Sequence, residues 1–384
     1  MILRLTGQDK NKMIGAPLSE PIRFFLRRLN VITCGIKRYK GSDEEICSQI
    51  IEACYNKEKK YFMVSNSHFC LFYARDFGWC TEALLELGHR RRVINTLDYA
   101  LGIYRKHGEI KQAINPKGKP FTFPFNRYSP DALAFLIRSL KLAKANKLVK
   151  KYKAFLNKEI KRYYDLVIDK KTGLVRKDKY FSSMKDFSER KSSCYDNVMT
   201  AMLANDLKAF RQLKNPFAKY NYKKLILDNF WNKHYFYDDL SGHDIISGDA
   251  NVLPFWSGLI TDKRIMRKAL DAIRKEGLDR PFPLKYNPRR FKEHKMIYPE
   301  FIAGNYERDT IWVHVGMIYI RVAAMVDKRL ARKYLNQYKK QILKHKNFLE
   351  VYDRNGNPFS TLLYYTDDSM LWCANYLYLK KKLL

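Results

Sequence analysis

Two acidic residues carry the chemistry that this sequence offers. Asp186 lies in SSMKDFSERKSSCYDNV, with Tyr180, Met184 and Phe187 close by in the chain. A carboxyl group packed among rings loses hydration, which raises its pKa toward what a general acid needs near neutral pH. Lys185, Arg190 and Lys191 pull the other way, Glu189 is a rival acid, and the plainer reading of Asp186 is a helix N-cap. Glu350 follows Phe348 and Leu349 in KNFLEVYDRNGNPFST, at the end of a helical pattern and before a DRNGNP turn. There it can hold a water as general base, or it is an ordinary surface glutamate. Such a pair hydrolyses a glycosidic bond with inversion when roughly 6.5–9.5 Å between the carboxyls admits the attacking water.

A second set of residues has the types that grip sugar. YARDFGW sets Arg75 and Asp76 beside Phe77 and Trp79. The charged pair can bind hydroxyls with Trp79 as a wall, each holding the other in place, or it is a plain ion pair. Arg190 belongs to the same segment as Asp186, and Arg308-Asp309 offers either hydroxyl contacts or a structural bridge. Asp249 is a ligand contact or a loop cap, Trp256 and Trp312 are stacking platforms or core, and Trp372 is a further substrate contact. His68, His243 and His314 lie near these motifs, but no pair has metal-ligand spacing on one helix, so no metal is expected. Neither phosphate-binding glycine motif occurs, and no cofactor is expected.

Such residues must be positioned by helices. Apolar residues recur every three or four positions in EEICSQIIEACYNKEKKYF, TEALLELGHRRRVINTLDYALGIYRKHG, CYDNVMTAMLANDLKAFRQL and TIWVHVGMIYIRVAAMV. Starts carry cap-like residues at Ser129-Pro130-Asp131 and Thr366-Asp367-Asp368. Strand signals are weak and confined to RLNVITCGIKRY. The pattern predicts about a dozen helices paired as hairpins. An open solenoid would repeat a motif at a fixed period, and none is visible. The loops are long, dissimilar and aromatic-rich, and all five tryptophans fall in or beside them. That favours a closed (α/α)6 toroid over residues 41–384, with an irregular or β N-terminal extension over 1–40.

The composition bounds these readings. The chain has 384 residues, 46% hydrophobic, which is enough for a large core. Its net charge is +34, from 73 Lys+Arg against 39 Asp+Glu. The lysines are spread along the chain on polar helical faces, as solvated surface is; nucleic acid is a disfavoured but open partner. Seven cysteines without CxxC spacing fit reduced, buried residues. MILRLTGQDKNKM is too polar for a signal peptide and no apolar run is long enough to span a membrane, so a cytoplasmic location is expected.

The motifs also resemble a known superfamily. SSMKDFSERK is similar to the catalytic-aspartate segment of trehalases, Glu-Ser-Gly-Trp-Asp-Phe-Ser-Ser-Arg-Trp. Asp186, Phe187, Ser188 and Arg190 match it, while Met184-Lys185 replace Gly-Trp. FLEVYDRNGNPFS followed by MLWCANYL resembles the base segment of glucoamylases and trehalases through Glu350, Tyr352, Asp353, Gly356, Pro358, Ser360, Trp372 and Ala374. YARDFGW resembles the Arg-Asp segment that holds the terminal glucose in glucoamylases. GNYERDTIWVHVGMIYIRVA resembles the fifth-hairpin segment of trehalases and neutral invertases, and SGDANVLPFW fits a pocket-lining loop. In chain order, these imply a six-hairpin glycosidase. The implied reaction is inverting, exo-acting hydrolysis of α-glucosides of the maltooligosaccharide or trehalose type, with Asp186 as acid and Glu350 as base. The paired glutamates of glucoamylases are absent, and STLLYYTDD replaces the glycine-rich segment that follows the base in trehalases. The basic charge also suits an anionic glycan. The alternative from another class is a non-catalytic toroid that binds glycan or nucleic acid; a terpene-cyclase-like barrel is opposed by the lack of DDxxD.

Overall fold

The computed structural model describes residues 19–122, 128–181, 183–289, 295–296 and 303–384. The MILRLTGQDKNKM segment and parts of the aromatic loops after 122 and 289 lie outside the described residues. The chain begins with α1 (Ser19–Cys34), α2 (Asp43–Ala53), β1 (Tyr55–Asn56), β2 (Tyr61–Phe62), β3 (Phe72–Tyr73), α3 (Ala74–Glu86) and α4 (Arg90–His107). Next come β4 (Ala113–Ile114), β5 (Pro120–Phe121), α5 (Pro130–Leu142), α6 (Asn146–Lys151), α7 (Lys153–Val167), β6 (Ser188–Glu189), α8 (Cys194–Leu207) and α9 (Tyr222–Phe230). It ends with α10 (Gly248–Trp256), α11 (Lys263–Lys275), β7 (Lys295–Met296), β8 (Ile311–Trp312), α12 (Val313–Ala324), α13 (Lys328–His345), β9 (Val351–Tyr352) and α14 (Cys373–Leu383). The fold is mostly helical, with short strands paired in small antiparallel ladders.

Two kinds of helix alternate. One kind is amphipathic. In α11, Met266, Ala269, Leu270 and Ile273 are buried at helical spacing, and the Asp262 side chain caps the start. In α4, Val93, Leu97, Ala100, Leu101 and Tyr104 form the buried stripe, and Gly108 ends the helix with φ 81°. Ser42 and Glu45 close a reciprocal capping box on α2. The other kind is buried on nearly every side, as in α8, α10 and α12. Neighbours follow a fixed order: α3 packs on α5, α5 on α8, α8 on α10, α10 on α12, α12 on α14, and α14 returns to α3. The amphipathic helices lie against them, α4 on α3, α7 on α5, α9 on α8, α11 on α10, and α13 on α12 and α14.

The N-terminal segment corrects one expectation. Val31, Ile32 and Thr33 gave RLNVITCGIKRY a strand signature, yet Ser19–Cys34 is helical. Tertiary docking overrides a weak local preference: Arg27 is buried, donating to Thr366 O (2.7 Å) and Asp368 (3.0 Å), and Phe24 stacks on His68. Thr366-Asp367-Asp368 does not cap a helix either, because α14 starts only at Cys373. All seven cysteines are free. No described helix is long and apolar enough to cross a membrane.

Candidate functional site

β3 runs directly into α3, so Arg75 and Asp76 sit in the first turn of that helix. They do not clamp each other. Adjacent helical residues project about 100° apart, and each finds its own partners. The Arg75 guanidinium reaches Asp186 through both terminal nitrogens, at 3.0 and 2.9 Å, while its Nε donates to Asp131. Asp131 lies in the first turn of α5, fully buried, and also accepts from Tyr195 at 2.9 Å. Asp76 accepts from Trp372 Nε1 at 3.0 Å. Burial pushes the Asp76 carboxyl up to about 7, with Asp131 and Asp186 adding to the rise against Arg75 and Trp372.

Asp186 is not a helix cap. It lies in a loop that passes through positive φ at Met184 (75°) and Ser192 (54°), conformations that non-glycine residues hold only when surroundings enforce them. The enforcement is visible. Glu307 accepts the backbone N–H of Asp186 at 2.9 Å and that of Phe187 at 2.7 Å. Gln112 donates to Asp186 Oδ2 at 3.1 Å, and 20% of the Asp186 side chain stays exposed. The rival Glu189 lies in β6, its backbone paired with Lys295.

Arg190 and Asp249 were expected to touch sugar; the structure sets them elsewhere. Arg190 donates to Asp249 and Asp238 at 3.0 Å each, and Lys185 reaches Asp238 at 3.1 Å and Asp249 at 3.2 Å. The side chains of Arg190 and Asp249 are both 0% exposed. Burial works against the Arg190 charge, and the two carboxylates reverse that effect and raise its pKa. Arg190 also donates to Ser183 O at 2.7 Å, so this network braces the loop that carries Asp186.

Glu350 is buried, not a surface glutamate, and β9 places it. The β8–β9 register pairs Ile311 with Tyr352 and Trp312 with Val351, which sets Glu350 at the start of α12. The hydroxyls of Tyr306 and Tyr364 donate to its two oxygens, and Asp367 N–H donates at 3.0 Å. Burial first, and the Asp367 charge second, push its pKa up to about 7 against those three donors. Adjacent residues therefore join the two acids: Tyr306 holds Glu350 and Glu307 holds the backbone of Asp186. The Phe187 and Tyr306 rings lie 5.6 Å apart.

The tryptophans form a buried cluster beside these groups. Trp79 lies 4.8 Å from Trp256 and 5.9 Å from His314, and His314 lies 4.6 Å from Trp372 and 5.5 Å from Trp312. Trp312 stacks on Tyr286 at 5.1 Å and donates to Tyr306 O at 3.1 Å, while Arg138 covers Trp256. Burial, aided by Arg75, holds the His314 pKa well below its usual value. Arg308 and Asp309 part company: Asp309 accepts from Asn305 at 2.6 Å and faces Arg354 at 3.6 Å, while Arg308 is half-buried and its carbonyl accepts from Asn287.

Sequence reasoning missed Gln112, Glu307, Tyr306 and Tyr364; it placed the helix start at Ser129-Pro130-Asp131 where the structure has it, without a side-chain cap bond, but Asp367 opens no helix. Asp367 lies against Glu350 and accepts from His68 N–H at 3.0 Å and Phe69 N–H at 2.9 Å. The available signal was that Glu307 adjoins the singled-out Arg308-Asp309.

No protein-family profile matches the chain, and no curated protein matches it. Solved structures do. A glycosidase with one glutamate replaced by alanine, in complex with glucose, matches with TM-score 0.66 at 12% identity, over 96% of this chain and 99% of that one. A rhamnosidase from Klebsiella oxytoca with rhamnose bound matches with TM-score 0.62 at 11% identity, over 90% of this chain and 65% of that one. An uncharacterized conserved protein from Thermus thermophilus matches with TM-score 0.59 at 13% identity, over 88% of this chain and 100% of that one. At these identities the likeness is one of fold: the chain has a fold found in glycosidases.

Proposed function

We propose that this protein is a glycoside hydrolase whose residues 41–384 form a six-hairpin toroid, with the N-terminal segment packed against it. The return of the helix neighbours from α14 to α3 supports the toroid. One observation carries the reaction: Tyr306 and Glu307, adjacent in the chain, hold Glu350 and the Asp186 backbone respectively. Two acids remote in sequence are thereby fixed relative to each other, as sugar cleavage requires.

In this reading Glu350 takes a proton from a water as that water attacks the anomeric carbon. The bond to the leaving oxygen breaks, and Asp186 supplies the leaving group's proton. For this, one Asp186 oxygen exchanges its Arg75 contact for the glycosidic oxygen on the exposed part of the side chain. Asp76, Trp79 and Trp372 hold the terminal sugar, with Trp256 and Trp312 behind them. Arg190 and Asp249 act through the loop they brace. The substrate is an α-glucoside attacked from its non-reducing end; the +34 charge makes an anionic glycan the variant to include in any panel.

A second reading exchanges the acids, and the Arg75 fork on Asp186 favours it: Glu350, raised to about 7, then donates the proton and Asp186 directs the water. Leaving groups separate the two. A dinitrophenolate needs no proton, so the variant that lacks the acid retains activity on dinitrophenyl glucosides and loses it on the natural-type substrate. Asp186→Asn is expected to show that split and Glu350→Gln is expected to fail on both. The reverse pattern exchanges the roles, and full activity in either variant removes the mechanism.

A further inference from the structure

Two polar ring nitrogens lie buried without a partner inside one aromatic cluster: Nε1 of Trp79 and Nδ1 of His314. Trp79 is 4% exposed and His314 5%, and their ring centroids are 5.9 Å apart. Buried polar atoms are paired as a rule, and two exceptions in one cluster ask for a shared explanation. The neighbouring indoles do not supply the partner, because Trp372 Nε1 donates to Asp76 and Trp312 Nε1 donates to Tyr306 O.

The two atoms are complementary to one kind of group. An indole N–H only donates, and a neutral imidazole with its proton on the other nitrogen accepts. A hydroxyl answers both through a single oxygen. A carboxylate or carbonyl has no proton to give His314, and an ammonium has no lone pair for Trp79. The surroundings keep the imidazole neutral: His314 lies among Trp79, Trp312, Trp372 and Tyr286, and the charged group bearing on it is the Arg75 guanidinium. Asp76, half-buried and adjacent through Trp372, is placed to take a second hydroxyl of the same ring.

We propose that Trp79 Nε1 and His314 Nδ1 together recognise one hydroxyl of the bound sugar, which makes His314 a specificity-determining residue. The choice of sugar as ligand rests on the hydrolase reading. When the site holds no sugar, a water has the same chemistry, and the sugar hydroxyl displaces it.

The test uses nitrophenyl α-glucoside and its monodeoxy and deoxyfluoro analogues, with kcat/KM as the readout. Wild-type protein is expected to lose about 100-fold on the analogue altered at one ring position, because the site's buried groups are then left unpaired. Fluorine at that position can accept from Trp79 but cannot donate to His314, so it does not restore the rate. His314→Phe is expected to lose a similar factor on the parent glucoside and to lose almost nothing further on that one analogue. A His314→Phe variant that keeps the full wild-type discrimination for every analogue overturns the proposal.

A second measurement is independent of turnover and of any variant. The Trp79 indole N–H and the His314 imidazole nitrogens are followed by NMR while free hexoses are titrated into wild-type protein. Both resonances are expected to move together on saturation. If no glycoside is cleaved but both move, the hydrolase reading fails and the recognition pair stands. If a hexose saturates the protein and neither moves, or if no hexose binds, the pair is refuted.

Discussion

Two buried charge clusters in this protein use the same groups and are completed differently. Lys185 and Arg190 face Asp238 and Asp249, two cations against two anions, with no side chain more than 2% exposed. Around Arg75 the balance is different: one guanidinium faces Asp131 and Asp186, and Asp76 lies next to it in the chain. There 20% of the Asp186 side chain is exposed. The first cluster balances its charges and is sealed from solvent. The second carries excess acid beside exposed surface and unpartnered ring nitrogens. Burial and charge alone do not separate the two clusters; charge balance and exposure do.

Substitutions can break this contrast. The largest effect is expected at the two acids, Asp186 in the second cluster and Glu350 outside both, and on chemistry alone. Asp186→Asn and Glu350→Gln should each lower kcat/KM by at least about 1,000-fold, with ligand binding and thermal unfolding nearly unchanged. In the first cluster the reverse should hold. Arg190→Met leaves Lys185 alone against Asp238 and Asp249 and is expected to lower the unfolding free energy by about 3–5 kcal/mol in urea titration. Glu307→Gln lies between the two. It keeps one backbone acceptor, so kcat should fall by about 10-fold with KM little changed, as a misplaced rather than missing group would give.

The smallest expected effect is on pH dependence. Glu350 is raised from 4.5 to about 7, so the folded chain holds this proton longer than the unfolded chain does. The stability linked to Glu350 is complete below about pH 4.5 and is lost as pH rises toward 7. Glu350→Gln should flatten that part of the stability profile. If Glu350 is the base, kcat/KM should fall as pH drops below about 7, because the protonated form cannot take the water's proton.

The helices were legible in the sequence because periodicity is a local signal, and Asp186 and Glu350 drew notice by their positions in a loop and at a helix end. YARDFGW pointed to Arg75 for the same reason. What it could not show is that Arg75 reaches across to Asp131 and Asp186, since partners are set by which helix starts meet. Arg190 and Asp249 matched motif positions, yet the quartet needed Lys185 and Asp238, and nothing local links those four. Asp131 and Asp367 read as caps because an acid near a helix start has that local explanation, and only tertiary packing reveals the guanidinium or the carboxylate beside them. The strand reading near residue 31 failed because β-branched residues outweighed the helical spacing of Phe24 and Arg27.

The most direct test of the central claim is the anomer first released. Hydrolysis of an α-glucoside followed by proton NMR should show β-glucose appearing before mutarotation, as attack by a Glu350-bound water requires. α-Glucose as the first product would contradict that geometry.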